Sequence, residues 1–311
     1  MLKNGKRGRQ KGAHLFDKIV PGVQLVEFTI VIMIGYLTKG FFEADTGRIL
    51  SKLVVNFTLP AAIFYSLTTS HFHFSKFAFT VAGLLSNAVL ISFGFLLFSK
   101  LKDPRIRIPI LLSFVGFNTG LFMYPLAESL WGPESVVNYA LFDLGNSFFI
   151  FGVGKAIAER TGFKGILKVF KFPPFVVLLL SLLLNLLNVT LPMMMLNFAE
   201  MVKNANAFLV FFLVGYYLNF KSVFEKFSLI AIAEATKYVL AFFISITVVK
   251  LFSLSSFEEM NLFLAPLLPS AIMTLVYSIE KGYDAELASG LITFSTVVST
   301  AIILTTDHLW R

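Results

Sequence analysis

Apolar residues along the chain are grouped into ten long segments that short polar stretches separate. A segment of about 20 apolar residues is long enough to cross the hydrocarbon core of a bilayer as an α-helix. The segments occupy residues 22–39, 50–69, 77–98, 108–130, 136–158, 173–190, 195–219, 228–251, 259–280 and 285–306. The connections are too short for a separate soluble domain. The pattern therefore predicts an all-α membrane protein with ten transmembrane helices.

Two of these segments contain residues that interrupt helices. Segment 4 reads VGFNTGLFMYP from Val115 to Pro125, and segment 9 contains Pro266 and Pro269. In hydrocarbon every backbone amide needs an internal partner, so glycine and proline at mid-depth are costly. Each segment divides into pieces of about ten residues, or roughly half the bilayer core. Ordinary proline kinks are the simpler interpretation, but two breaks at corresponding positions favour a functional role for the interruptions.

The spacing of the breaks indicates an internal repeat. Pro21-Gly22 and Pro173-Pro174 open segments 1 and 6, and Gly132 and Gly282 follow segments 4 and 9. An offset of about 150 residues places Thr119 opposite Pro269. Five segments in each half give the halves opposite topology, as in inverted-repeat transporters. The predicted units are a basic tail (1–20), a first repeat (21–158), a linker (159–172) and a second repeat (173–311).

The paired breaks also predict a binding site near the middle of the membrane. The second piece of a broken helix presents free amides and a partial positive charge, which favour an anionic or strongly polar group. The candidate substrate-binding residues at the two breaks are Asn118, Thr119, Gly120, Pro125, Pro269 and Ser270.

Composition supports a membrane protein and disfavours an enzyme. The chain is 57% hydrophobic and 14% charged, against about 25% charged residues in soluble domains. It contains no cysteine, and its four histidines lie outside the ten segments. His71 and His73 suit a short external loop better than a metal site. There is no HExxH or GxxxxGK[ST] motif, so we expect no catalytic residues, no bound metal and no direct ATP coupling.

Basic residues predict the orientation. The loops after segments 1, 3, 5, 7 and 9 carry fifteen Lys and Arg residues, whereas the opposite loops and the far end of segment 7 carry only Lys76, Lys203 and Lys250. The first set is therefore expected in the cytoplasm, with both chain ends outside. Six basic residues in the tail argue for the opposite orientation, but the bias of the five loops is consistent along the chain. We expect a multi-pass protein of the plasma membrane.

The residues around the first break resemble a known family. GFNTGLFMYPLAESLWG followed by ALFDLGNSFFIFGVGKAIA is similar to the auxin efflux carriers, which include plant PIN-FORMED proteins and bacterial organic-acid permeases. The shared pattern is Asn118, Pro125, Gly132 and the run Asp143-Leu144-Gly145-Asn146. The stretch from Leu267 looks like the second crossing of that family.

The resemblance implies an elevator-like carrier. Segments 1, 2, 6 and 7 would form a scaffold, and segments 3–5 and 8–10 a moving transport body. The substrate would sit between them, beside the crossing of segments 4 and 9. A related fold occurs in sodium–bile acid symporters. The sequence departs from the family pattern at Glu128, which replaces a usually apolar residue, so the substrate cannot be copied from a relative.

Further polar residues within the segments have two interpretations each. Asn56, Asn204 and Asn206 either face the cavity from the scaffold or form interhelical hydrogen bonds. Glu128 is either a coupling carboxylate or a polar residue at the outer end of segment 4. Lys237 either pairs with Glu234, one helical turn away, or neutralises an anionic substrate. Asp143, with Asn146 nearby, either couples an ion or caps segment 5.

The sequence therefore predicts a secondary transporter for a small organic anion such as a carboxylate or an auxin-like compound. The alternatives are a sodium-coupled symporter of the bile acid type and a receptor or sensor on a transporter fold. No cofactor is expected beyond H⁺ or Na⁺ as a coupling ion. The expected partners are the substrate, membrane lipid and, through the scaffold helices, a second copy of the chain, and no nucleic acid is expected.

Overall fold

A computed structural model describes residues 21–43, 45–69, 76–161 and 167–310. The basic tail, His71, His73 and part of the linker lie outside these residues. The described residues form helices joined by short loops, and the one β contact among them is an isolated antiparallel bridge between Phe117 and Ser270. The protein is therefore all-α.

The helices follow the apolar segments. Eight are uninterrupted: α1 (Pro21–Thr38), α2 (Thr46–Thr69), α3 (Phe77–Phe98), α5 (Pro133–Glu159), α6 (Pro173–Leu186), α7 (Met193–Tyr217), α8 (Phe227–Leu251) and α10 (Ala285–Trp310). The fourth segment divides into α4a (Pro104–Ser113) and α4b (Thr119–Met123 continued by Tyr124–Trp131), and the ninth into α9a (Ser256–Leu264, extended by Ala265–Leu267) and α9b (Met273–Lys281). Within the described residues, six helices are long and apolar enough to cross a membrane: α2, α3, α5, α7, α8 and α10.

Several helix ends differ from the predicted positions, and local backbone features account for three of them. Helix α4a begins at Pro104, since the Asp103 side chain accepts a hydrogen bond from the Arg105 amide at 2.8 Å. Helix α9a begins at Ser256, where Ser255 and Glu258 form a reciprocal capping box. Helix α6 ends at Leu186, and Asn188 beyond it has a positive φ of 51°.

The helices pack in two groups. In one group, α7 contacts α1 and α2, and α2 contacts α6. In the other, α3 contacts α5 and α8, and α10 contacts α4a, α8 and α9b. Large apolar side chains such as Met33, Leu96, Val239 and Phe243 are exposed on the outside of both groups. Such faces suit lipid, because no membrane helix needs to hide apolar surface from hydrocarbon.

Glycines allow the closest helix contacts. Gly215 of α7 lies against the Ile32 carbonyl group of α1, and Gly83 of α3 lies against the Phe142 carbonyl group of α5. A Cβ atom added to Gly145 of α5 would lie 2.6 Å from the Thr80 carbonyl oxygen. Small residues are the usual means of bringing membrane helices together, because packing replaces the hydrophobic effect there.

One polar link joins three helix starts. Asp284 precedes α10, caps it by accepting the Leu287 amide at 2.9 Å, and accepts two bonds from the Lys226 ammonium at 2.7 Å each. Its own amide donates to the Arg105 carbonyl oxygen of α4a at 3.0 Å. Partial burial raises the pKa of Asp284, but the Lys226 ammonium and the Leu287 amide outweigh this effect and hold the pKa below its usual value.

We expect Gly145→Ala to destabilise the protein by about 1–3 kcal/mol, because the new methyl group meets backbone atoms that cannot rotate away. The measurement is the melting temperature of the purified protein in detergent. Gly40→Ala is the matched control, since nothing lies within 4 Å of a Cβ atom there. Equal melting temperatures for the two variants would contradict this account of the contact between α3 and α5.

Candidate functional site

The two helix interruptions cross each other in the interior. The Asn118 amide donates to the Pro269 carbonyl oxygen at 2.8 Å, and the Ala271 amide donates to the Gly116 carbonyl oxygen at 3.1 Å. Gly116 has a φ of 137°, which an L side chain rarely adopts. The extended residues of each break therefore supply hydrogen-bond partners for the other, as hydrocarbon requires.

Asn146 of α5 holds the first break in place. Its Oδ1 atom accepts the Phe117 amide at 2.9 Å, and its Nδ2 atom donates to the Phe117 carbonyl oxygen, also at 2.9 Å. Nδ2 also contacts Thr119 Oγ1 at 3.1 Å. The side-chain amide thus pairs with Phe117 as a neighbouring strand would, and Asn146 is fully buried.

A buried polar network surrounds Asn146. Asn146 Nδ2 donates to Asp143 Oδ1 at 2.7 Å, and the Tyr124 hydroxyl group donates to Asp143 Oδ2 at 3.1 Å. From α3, Asn87 Nδ2 donates to Asn146 Oδ1 at 3.3 Å. The network joins α3, α4b and α5, so it fixes the crossing to its neighbouring helices.

A cavity of about 50 Å³ lies beside the crossing. Residues of α2, α4b, α5 and α9b form its walls, together with the start of α6. Its lining residues are Val55, Leu59, Phe117, Asn118, Thr119, Gly120, Leu121, Asp143, Ser147, Ile150, Phe151, Phe172, Pro174, Ala271, Ile272 and Met273. The cavity therefore lies between the helix group of α2 and α6 and the crossing.

Three π-helical turns contribute to this cavity. They span Val54–Thr58, Thr119–Met123 and Phe148–Gly154, on α2, α4b and α5 respectively. Wide turns of this kind are rare and occur frequently at functional sites. The presence of three such turns at one cavity is a second indication, besides its polar residues, that the cavity is a functional site.

The cavity offers hydrogen-bond donors. Asn118 is 5% exposed, and among the described residues its Nδ2 atom has no hydrogen-bond partner. Helix α4b begins at Thr119 and α9b at Met273, and the first amides of a helix have no partner within it. Both helix starts and the Asn118 amide thus present positive partial charge to the same space.

Of the residues that the sequence predicted for the site, four line this cavity or its polar wall: Asn118, Thr119, Gly120 and Asp143. Pro125 lies in the first turn of the α-helical part of α4b. Pro269 contributes its carbonyl group to the crossing, and Ser270 is fully buried behind it. The structure thus places the residues of both breaks around one point.

Three asparagines predicted to face the cavity lie elsewhere. Asn56 is exposed, and its Nδ2 atom donates to the Lys52 carbonyl oxygen of its own helix at 2.7 Å. Asn204 is also exposed. Asn206 is buried and accepts a hydrogen bond from Thr58 at 2.8 Å. For Asn206 the structure shows the alternative role, an interhelical hydrogen bond between α7 and α2.

Glu128 lies at the opposite end of the helices from Phe172. Its Oε1 atom pairs with Lys203 of α7 at 2.5 Å, and the Lys203 ammonium lies 4.6 Å from the centre of the Tyr65 ring of α2. The carboxylate therefore has a polar partner on a neighbouring helix, at the end of α4b where the sequence located it.

Glu234 and Lys237 of α8 are 0% and 1% exposed. Lys237 Nζ donates to Ser270 Oγ at 2.6 Å, and Glu234 Oε1 lies 3.2 Å from the same oxygen. Both charged groups therefore meet at the second break rather than on a lipid-facing surface. The described residues that line the cavity do not include either of them.

Sequence reasoning missed several members of the site. Asn87 and Tyr124 belong to the network of Asn146, and Ser295 Oγ accepts the Ser270 amide at 3.1 Å. A polar residue inside an otherwise apolar helix was the available signal for Asn87. No pattern in the sequence pointed to the apolar wall formed by Ile150, Phe151 and Phe172.

Comparison with known proteins shows similarity to membrane transporters. Residues 22–164 match a family described as membrane transport protein. The chain is 26% identical to an uncharacterized transporter of Methanocaldococcus jannaschii over 291 residues, which cover 88% of this chain and 94% of that protein. It is 22% identical to an uncharacterized transporter of Methanothermobacter thermautotrophicus over 286 residues, covering 87% and 92%.

The alignments with the two relatives include both helix interruptions, since they cover most of the chain. The family match contains the first break, Asp143 and Asn146. Together with the apolar helices, these similarities make the chain an integral, multi-pass membrane protein with a role in transport. The first half of the chain is thus similar to a family of membrane transport proteins, which supports the resemblance to the auxin efflux carriers.

Proposed function

We propose that this protein is a secondary carrier of a small organic anion, which binds in the cavity beside the crossing. The observation that carries the proposal is the Asn118 Nδ2 donor, which is buried at the cavity and has no hydrogen-bond partner in the described part of the chain. A buried donor without a partner costs about 1–3 kcal/mol. A substrate acceptor group at this point would recover that cost.

The charge of the substrate follows from the surrounding helix ends. Helices α4b and α9b both begin at the cavity, so their partial positive charges add to the Asn118 donor. Carboxylate oxygens accept several such bonds at once. A small carboxylate is therefore the substrate class that we favour.

The remaining walls suit an organic body. Leu59, Ile150, Phe151 and Phe172 contribute apolar surface. The cavity of about 50 Å³ is smaller than typical small-molecule pockets of roughly 300–1,000 Å³, so an organic substrate would need the cavity to widen. Hydrogen-bond donors at one end and apolar groups at the other suit a substrate with a carboxylate and a hydrocarbon or aromatic part.

The helix grouping supports an elevator-like mechanism with two inverted five-helix repeats. Helices α1, α2, α6 and α7 would serve as scaffold, and the cavity lies where α2 and α6 meet the helices of the crossing. Gly132 and Gly282, which follow the two broken helices, both have positive φ, 85° and 70°. Breaks and glycine turns at corresponding positions are expected when two halves share one fold.

Opposite ends of the two helix groups differ in a way that suits alternating access. The cavity includes Phe172 and Pro174, next to the loop predicted to be cytoplasmic. At the other end the pair of Glu128 and Lys203 joins α4b to α7. We infer a carrier that faces the cytoplasm in this structure and is closed towards the outside, in the plasma membrane. Lipid and a second copy of the chain would cover the exposed scaffold helices.

Asp143 is the residue that we propose to couple transport to protons. Its carboxyl group lines the cavity, where a negative charge would repel an anion, and its titratable contact is the Tyr124 hydroxyl group. Protonation of Asp143 would remove that repulsion. Binding of the anion and of a proton would then favour each other.

The first test concerns Asn118. We expect Asn118→Ala to melt near the wild-type temperature but to lose carboxylate binding by about tenfold to a hundredfold, as for the loss of a hydrogen bond to a charged group. Stabilisation by a panel of carboxylates, followed by uptake in vesicles, measures the effect. Asn204→Ala is the matched control because Asn204 is exposed outside the cavity.

A second comparison separates binding from structure. Asn146→Ala leaves the Phe117 amide and carbonyl groups unpaired, so we expect a loss of about 1–3 kcal/mol in stability. If Asn118→Ala instead lowers the melting temperature as much as Asn146→Ala does, and transport per folded protein persists, Asn118 has a structural role.

The test for Asp143 uses an organic sulfonate that the wild type accepts, because the charge of a sulfonate is constant across the pH range. We expect wild-type uptake to increase as the pH falls and Asp143→Asn uptake to be independent of pH. Asp307→Asn is the control, since Asp307 contacts Trp131 away from the cavity. A wild-type pH profile in Asp143→Asn would exclude this role.

Orientation can be tested directly because the chain contains no cysteine. Thr190→Cys, between α6 and α7, should react with an impermeant thiol reagent added to intact cells. Lys102→Cys, between α3 and α4a, should react only after permeabilisation. Both residues are exposed. The reverse labelling pattern would place the chain ends in the cytoplasm.

A further inference from the structure

The buried charges on α8 lie beside both interruptions and are not among the described residues that line the cavity. Lys237 Nζ bonds Ser270 of the second break at 2.6 Å and lies 5.6 Å from the centre of the Phe117 ring of the first break. Lys237 is 1% exposed. An ammonium group this deep in a membrane protein needs compensating negative charge.

That compensation comes from two sources. Helix α4a ends at Ser113, so its last carbonyl groups have no partner within the helix and form its negative end. Ser270 Oγ lies 3.2 Å from the Ser113 carbonyl oxygen and 3.2 Å from Glu234 Oε1. Since a hydroxyl group has one hydrogen, it donates to one of these oxygens at a time.

In the described part of the chain, the Glu234 carboxylate also lacks a hydrogen-bond donor for one of its two oxygen atoms. Glu234 is 0% exposed, and among the described residues its Oε2 atom has no hydrogen-bond partner. The carboxylate and the end of α4a create a negative potential at the crossing. In transporters with broken helices, such carbonyl-rich ends coordinate Na⁺ or H⁺.

We propose that the Lys237 ammonium is a fixed cation of the crossing and supplies the positive charge that a bound alkali cation would otherwise provide. Lys237 is then a positioning residue, which holds Ser270 and the Phe117 ring together from α8. It does not touch the substrate. For transport, the inference rests on the proposed function and predicts that the carrier does not need sodium.

The experiment compares melting temperatures in sodium, potassium and choline chloride at equal concentration. We expect the wild type to melt at the same temperature in all three salts. Lys237→Ala removes one partner of a buried charge cluster, so we expect its melting temperature in choline to fall by about 5 °C or more. Sodium should recover part of that loss, because the cation can enter the space beside Glu234.

Two variants serve as controls. Lys203→Ala also leaves a carboxylate, that of Glu128, without its lysine partner, but far from the crossing. Its melting temperature should show no response specific to sodium. Lys237→Ala combined with Glu234→Gln removes both charges, so we expect this double variant to fold and to lose the sodium response. If Lys237→Ala alone does not fold, the double variant and the wild-type comparison decide the matter.

Three results would overturn the inference. The first is stabilisation of the wild type by sodium over choline. The second is Lys237→Ala with an unchanged melting temperature and no response to sodium. The third is Lys237→Ala that melts normally but no longer binds carboxylates, which would make the lysine a substrate ligand and leave the proposed function intact. Failure of the wild type to bind any carboxylate would count against the proposed function alone, because the melting comparison uses no substrate.

Discussion

The structure depends on satisfying backbone amides where two helices are interrupted in the membrane. Residues around Phe117 and Ser270 leave the helical hydrogen-bond pattern, and hydrocarbon offers no replacement partner. The two breaks therefore bond each other across an antiparallel crossing, through Asn118 to Pro269 and Ala271 to Gly116. Asn146 supplies the remaining bonds to Phe117. The same interruption that requires these bonds also frees the helix ends that face the cavity.

The two sides of the crossing have different electrostatic tasks. On the cavity side, helix starts and the Asn118 amide provide donors for an external group. On the α8 side, the end of α4a provides negative charge, and the chain brings its own ammonium group to it. A broken helix necessarily exposes one end of each sign. In our proposals, the crossing thus separates a cavity that binds an anion from a buried ammonium group that serves as a fixed cation.

Close packing at glycines allows this arrangement. Gly83 and Gly145 bring α3 and α5 into backbone contact beside Asn87 and Asn146, which meet across the same interface. Side-chain amides can bridge two helices only when the helices lie close together. The polar network is therefore a consequence of the small residues as much as of the asparagines, and it couples the crossing to the body of the protein.

The sequence by itself determined the apolar segments, the two interruptions and the residues at them, because proline, glycine and hydrophobicity act locally. It also located Glu128 at a polar end of its helix. The tertiary structure decided which faces meet. Asn56 and Asn204 are exposed while Asn206 is buried against Thr58, and Lys237 contacts Ser270 of the second break. Helices that are apolar all round carry little periodic signal for a buried face. Contacts such as Ser113 with Ser270, 157 residues apart, follow from how the helices pack, which no local pattern encodes.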